Sequence, residues 1–347
     1  MAEPSRTQVL DDAVSSTVDT YVRNTPADVV YQHTLAFKLL WNTEQDQGSS
    51  GPALSMKKLG VHTPRVKTQG GRIAVIPTGY HTGTSFSTFR GAQKLTTPID
   101  PVMTLQSSLW AHHQFYVGIT FQEAIENSGD EAIVDILQGR VDMEYRAAST
   151  ALEAAFWANV GDVAVGSQET IPGVRNYIST APTSGNVWGI DRATYTWQRN
   201  AYDTVGSFAT NGIDKMRSMR ATISGTNGLD PPSIWVTTPT VWGYAGKALE
   251  AVYRVVDYHD DADLGIGQTI RHLGIPIAYT SVQTSGRMDA WNLNYWDLLV
   301  HKLSNWKVVK LPYPNDQLID QQWRVTWSGT WGIERFDRQG VLSSITA

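Results

Sequence analysis

With 347 residues, 41% of them apolar and only 18% charged, the chain is long enough for two or three buried cores. A net charge of −5 excludes a protein that wraps nucleic acid by neutralising its phosphates, because that task leaves a strong basic excess. The absence of cysteine excludes disulfides, thiolate metal sites and cysteine nucleophiles.

No apolar run approaches the ~18 residues of a membrane span. The opening Met1-Ala-Glu-Pro-Ser-Arg-Thr-Gln8 has no apolar signal core and no myristoylation glycine, so the expectation is a soluble chain made in the cytoplasm, with no membrane partner. Residues 1–24 are polar and weakly periodic, as an extended arm would be. Thr25-Pro26-Ala27-Asp28 supplies a cap, a first-turn proline and an acid for a helix reaching about Trp41. Gln45 to Pro52 is a turn-forming linker.

From Leu54 to Thr97, Arg72 to Pro77 and Thr84 to Arg90 read as strands between glycine-rich turns. The segment has few large apolar residues. It is expected to be a two-stranded excursion that needs a partner to lie on; the alternative is a surface loop. Two capping boxes follow, Thr120 with Glu123 and Ser128 with Glu131. Beyond them Ile133, Leu137, Val141, Tyr145, Ala148, Leu152 and Phe156 form one apolar stripe, predicting a helix from about 130 to 158, roughly 43 Å long at ~1.5 Å per residue.

Ile171 to Ile178 reads as a turn leading into a strand. Asn211–Ser224 reads as a helix, Ser233–Thr237 as a buried strand, and Thr238-Pro239 as the start of another helix. Leu273–Tyr279, Tyr295–Val300, Trp306–Lys310 and Gln322–Arg335 are strands. The class is mixed α+β. Six of the 13 tryptophans follow residue 290; they are read as core or interface material, with a sugar-binding platform as the alternative.

Few residues suggest chemistry. There is no phosphate loop, dinucleotide fingerprint, zinc-protease helix or nucleophile elbow. The acidic run Asp257 to Asp263 lacks the glycine and distal glutamate of a calcium loop and reads as solvated. His112 and His113 are adjacent, so their side chains diverge on a strand, and a surface or interface pair is favoured over a metal site. No catalytic, cofactor-binding or metal-ligating residue is assigned, and the chain is not read as an enzyme.

The order of segments carries more than any motif. Ile119-Thr-Phe-Gln-Glu-Ala-Ile-Glu-Asn127 runs into the long helix and on to Phe156-Trp157-Ala-Asn-Val-Gly161. Ile171-Pro-Gly-Val174, Gly189-Ile-Asp-Arg-Ala-Thr-Tyr-Thr-Trp-Gln-Arg-Asn200, Ile234-Trp-Val-Thr-Thr-Pro-Thr240 and Gly274-Ile-Pro-Ile277 follow in order. From about residue 25 onward this resembles the major capsid proteins of tailed phages, the Hong Kong 97 fold, also seen in encapsulins. The resemblance implies an N-arm at 1–53, an E-loop at 54–112 and a peripheral domain at 113–205 with a spine helix at 128–158. It further implies an axial domain at 206–289, and return strands of the peripheral domain at 290–347.

It also implies the function: a subunit that self-assembles into pentamers and hexamers of an icosahedral virion shell around double-stranded DNA, built in the host cytoplasm. Its implied partners are other copies of itself and scaffolding, portal and decoration proteins. An encapsulin-like nanocompartment is the near alternative; a tryptophan-rich lectin or glycosidase is the distant one. Asp191 and Arg192 are expected to pair or to bond backbone at a structural junction. Residues 47–99 hold Lys57, Lys58, Arg65, Lys67, Arg72, Arg90 and Lys94 and no acid, whereas 121–158 hold eight acids against two arginines. The expectation is that the basic excursion contacts an adjacent subunit's acidic helix or peripheral domain.

Overall fold

The computed structural model describes residues 65–80, 102–120, 130–162, 170–225, 228, 230–250, 270–312 and 319–347. The expected helix at 25–41, the strand at 84–90, the acidic run 257–263 and Lys57, Lys58, Arg90 and Lys94 lie outside these residues.

Strand β1 (Arg65–Gln69) is followed by β2 (Ile73–Gly79) and β3 (Met103–Leu109), which pair antiparallel, and by β4 (Ala111–Thr120). The long helix α1 spans Asp130–Trp157, as its apolar stripe predicts. Among the described side chains of that stripe Val141, Leu152 and Phe156 are buried, while Met143 and Glu144 face solvent. Where 171–178 is expected to be a turn leading into a strand, it forms a helical turn, α2 (Val174–Tyr177). Its apolar residues Ile171, Val174, Tyr177 and Ile178 recur at spacings of three and four, which places them on one side of a helix, and the Ile178 N–H donates to the Val174 carbonyl at 2.7 Å.

A small hairpin, β5 (Asn186–Val187) and β6 (Ile190–Asp191), leads to β7 (Ala201–Ser207). Helix α3 (Phe208–Ile223), β8 (Ile234–Thr237) and α4 (Pro239–Glu250) follow, then β9 (Ile270–His272), β10 (Ile275–Tyr279) and β11 (Met288–Trp291). Pro239 opens α4 because a first-turn residue needs no N–H partner, and the Thr238 hydroxyl accepts from Val241 N. The chain ends with β12 (Trp296–His301), β13 (Lys307–Lys310), β14 (Ile319–Ile333) and β15 (Gly340–Thr346).

These strands make two principal sheets. One has the order β1-β12-β14-β13, with β4 also paired to β14; the other runs β7-β15-β11-β8-β10-β9. Residues 290–347 contribute strands to both sheets. β15 crosses into the second sheet between β7 and β11, because Leu342 and Ile345 complete the core beneath α3 and α4.

The late tryptophans fill the other core. Trp291, Trp296, Trp323, Trp327 and Trp331 are each no more than 1% exposed. Trp296 stacks on Trp331 at 5.0 Å and Phe156 from α1 packs on Trp331 at 4.9 Å. Such side chains display no sugar-binding platform. Their ring area glues the helix to the sheet. Arg287 Nε donates to buried Asp289, two residues on, at 2.8 Å, while its Nη2 donates to the Ile178 carbonyl at 2.6 Å.

Candidate assembly interface

The β2–β3 hairpin divides into two faces because strand side chains alternate. Ala74, Ile76, Thr78, Gln106 and Ser108 point inward and are buried. The opposite face carries Ile73, Pro77, Met103 and Leu105, with Pro77 directly across from Leu105. Leu105 is 68% exposed and Met103 63%. Large apolar side chains gathered on one exposed strand face mark an interaction surface, whereas scattered ones need no explanation.

The inner face is held by a string of buried amides. Gln106 Nε2 donates to the Thr78 hydroxyl at 2.6 Å, and Gln198 Nε2 donates to Gln106 Oε1 at 3.2 Å and to the Val187 carbonyl at 3.3 Å. Tyr80 stacks on Trp197 with ring centroids 5.4 Å apart. The two-residue turn between β5 and β6 is Trp188-Gly189, with φ of 53° and 73°. Both residues of such a turn need positive φ, which is costly for tryptophan. Trp188 is held there because its ring lies in the space left by Gly332 beside Ile76, and its carbonyl accepts from Ser107 N at 3.2 Å.

Asp191 and Arg192 stand at this anchor, and no ion pair joins them among the described residues. Each bonds locally. Asp191 accepts from Ala193 N at 2.9 Å and from the Thr194 hydroxyl at 2.8 Å, and these hydrogen bonds hold its carboxyl below the usual range. Arg192, 1% exposed, donates from Nε to the Gln198 carbonyl at 3.2 Å, from Nη1 to Asn176 at 3.0 Å and from Nη2 to the Tyr177 carbonyl. Burial lowers its pKa to about 10, which leaves it charged at neutral pH.

Of the basic residues expected at an inter-subunit contact, Arg65, Lys67 and Arg72 lie among the described residues. Arg72 is exposed in the turn between β1 and β2. The backbone of Arg65 pairs opposite Asp297. Lys67 instead serves its own chain, with Nζ 2.6 Å from Asp297 and 3.0 Å from Glu334, because β1 is built into the sheet beside β12. On the acidic helix, Glu153 faces inward and accepts from Trp157 Nε1 at 2.6 Å, so it does not present charge to a neighbour. His112 and His113 diverge as strand neighbours must: His112 Nδ1 lies 2.7 Å from the Ser328 hydroxyl, and His113 packs on Trp327 at 5.6 Å.

Sequence reasoning missed Gln106, Gln198 and Thr78, since no local pattern distinguishes a buried amide from an exposed one. The apolar alternation of Met103 and Leu105 was a signal present in the sequence.

No protein-family model matches the chain, and no curated protein matches it by sequence. By structure it is similar to a chain of the cyanophage A-1(L) capsid asymmetric unit, at 16% identity and a TM-score of 0.57, covering 88% of this chain and 96% of that one. It is similar to a chain of the capsid of a native GTA particle at 12% identity and 0.51, covering 88% and 94%. It is also similar to a chain of the satellite phage P4 procapsid at 12% and 0.50, covering 100% and 93%. The fold is that of phage capsid proteins. The described β-hairpin, long helix and two-sheet body are this chain's version of it.

Proposed function

We propose that this chain is the major shell subunit of a tailed-phage capsid, self-assembling into pentamers and hexamers around double-stranded DNA. The observation that carries the reading is the β2–β3 hairpin, apolar outside and anchored inside by a buried polar string. A lone chain gains nothing by holding Met103 and Leu105 rigidly in water; a neighbouring copy would cover them, and closed symmetry supplies that neighbour. The fold shared with capsid chains supports the same reading.

In this assignment residues 1–53 are the N-arm and 54–112 the E-loop, with β1 as the stem that fastens it to the body. Residues 206–289 form the axial domain, completed by β15. Arg65, Arg72 and the basic residues Lys57, Lys58, Arg90 and Lys94 steer the excursion onto an acidic neighbour, contributing register more than affinity. Scaffolding, portal and decoration proteins are the expected partners, and the product is a virion built in the host cytoplasm.

The test is electron microscopy and light scattering of the purified protein, with a nucleic-acid assay of any particles. Closed shells or capsomers are expected. A species of only 38.4 kDa under every assembly condition would overturn the proposal. Shells made in the phage host that hold protein cargo and no nucleic acid would assign the chain to nanocompartments.

A further inference from the structure

Lys67, Asp297 and Glu334 come from three places in the sheet and meet at one point. Asp297 on β12 is 1% exposed, and its Oδ2 lies 2.6 Å from Lys67 Nζ on β1. Glu334, just past β14, places Oε1 3.0 Å from the same ammonium. One cation thus serves two carboxylates, and Asp297 Oδ1 is buried with no hydrogen-bond partner. With both acids ionised the cluster carries a net negative charge centred on a buried carboxylate, while Lys67 and Glu334 are only partly covered, an arrangement that burial of Asp297 penalises.

We infer that Lys67, Asp297 and Glu334 form a protonation-gated latch, which holds β1 to the sheet when one proton is shared between the two carboxyls and loosens it when both ionise. With the proton present, the neutral Asp297 acid bonds the Glu334 carboxylate, and Lys67 answers one remaining negative charge. Without it, the two carboxylates repel across a single ammonium. Burial, with the Glu334 charge adding to it and Lys67 opposing it, pushes the Asp297 carboxyl up to about 6. Its contribution to stability is therefore greatest at acidic pH and is lost as pH rises through about 6. Lys67 is itself raised from its ordinary value, so it stays charged throughout this window.

The other charged groups nearby are otherwise engaged. Arg335, next in sequence, bonds Asp337 at 2.6 Å, and Tyr295, just before β12, bonds Asp230 at 2.6 Å. His301, at the far end of β12, accepts from Leu303 N.

The latch reaches the exposed hairpin through the turn that follows β1. Gln69, the last residue of β1, accepts from Val75 N at 3.0 Å and donates to the Val75 carbonyl at 2.8 Å, so β1 and β2 are fastened together. Its carbonyl accepts from Lys302 N at 2.8 Å. Loosening β1 loosens the stem of the apolar hairpin. The latch is a property of the chain whatever it assembles into.

The experiment is hydrogen exchange of the full-length protein between pH 4 and 8, read by mass spectrometry on peptides spanning residues 65–72 and corrected for the chemical exchange rate. Exchange of β1 should rise about tenfold between about pH 4 and 6, with a midpoint near 5, and level off above 6, while peptides from β15 stay flat. That figure is well below the ~100-fold ceiling that full resolvation of Asp297 would give, because an opened strand regains only part of its solvation. Asp297→Asn should abolish the pH dependence, and Glu334→Gln should move the midpoint down by removing a like charge. A flat wild-type profile, or an Asp297→Asn profile with the wild-type slope, overturns the latch. Should Asp297→Asn not fold, an unmoved midpoint in Glu334→Gln does the same.

Discussion

Arg192 lies with its guanidinium over the ring of Phe336, 5.2 Å from the centroid, joining the segment after β6 to the turn before β15. The contact closes a circle. Arg192 also grips the carbonyls of Asn176 and Tyr177 in and beside α2 and that of Gln198, next to the hairpin anchor.

Arg192→Ala is expected to cost about 3–5 kcal/mol, because three backbone carbonyls lose their donor inside a closed site and a void is left. Arg192→Lys should recover only part of this, since an ammonium cannot present a planar fork in three directions. Asp191→Ala should be milder than either, as that side chain only braces an exposed turn. Urea unfolding of the three variants checks the order, and equal losses at Asp191 and Arg192 would refute it.

Gly173 has a steric explanation. A Cβ there would collide with the Ala158 carbonyl at the end of α1, and Gly173 N donates to Val160 at 2.9 Å, so neither backbone can give way. The preceding carbonyl, of Pro172, accepts from Trp331 Nε1 at 2.6 Å. Gly173→Ala should destabilise by about 3 kcal/mol, visible as a lowered urea midpoint with an unchanged slope.

Leu105→Asp separates folding from assembly. The side chain is largely exposed on the hairpin's outer face, so chemical stability should change by less than about 0.5 kcal/mol. Particle formation should fall sharply in light scattering, because a charge would be buried unpaired against the neighbour. Normal shells from Leu105→Asp would remove the hairpin from the interface.

Acid should weaken the body through its buried histidines. Burial, aided by His112, lowers His113 to about 4; burial, aided by Arg217 and Arg220, does the same for His272. A depressed histidine supports the fold above about 6.5 and loses that support as pH falls toward 4. Each should cost on the order of 1–2 kcal/mol by pH 4.5, solvent screening taking the rest. Asp297 works in the opposite sense over part of the same range, so the clean measurement is a difference. His113→Phe, which keeps the packing on Trp327, should lose less stability than wild type between pH 7.5 and 4.5. Identical pH profiles would refute the assignment.

The long helix was legible because its apolar residues recur every three or four positions over seven turns, and nothing else makes that pattern. The strands around Ile234 and Ile275 and the helix start at Pro239 were legible for similar local reasons. The helical turn at 174–177 was not, since four residues of a glycine-proline segment are too few for a period to outvote turn chemistry. Lys67 counted as one charge among seven until β1 was seen to pair beside β12, more than two hundred residues away, which placed its ammonium between Asp297 and Glu334.

The sequence by itself determined the class of the protein, α+β with an ordered set of segments, because hydrophobic period and turn residues act over short distances. The tertiary structure alone decided which charges face each other, which amides are buried and which face of the hairpin is left bare. Those depend on contacts between residues far apart in the chain, and no local pattern encodes them.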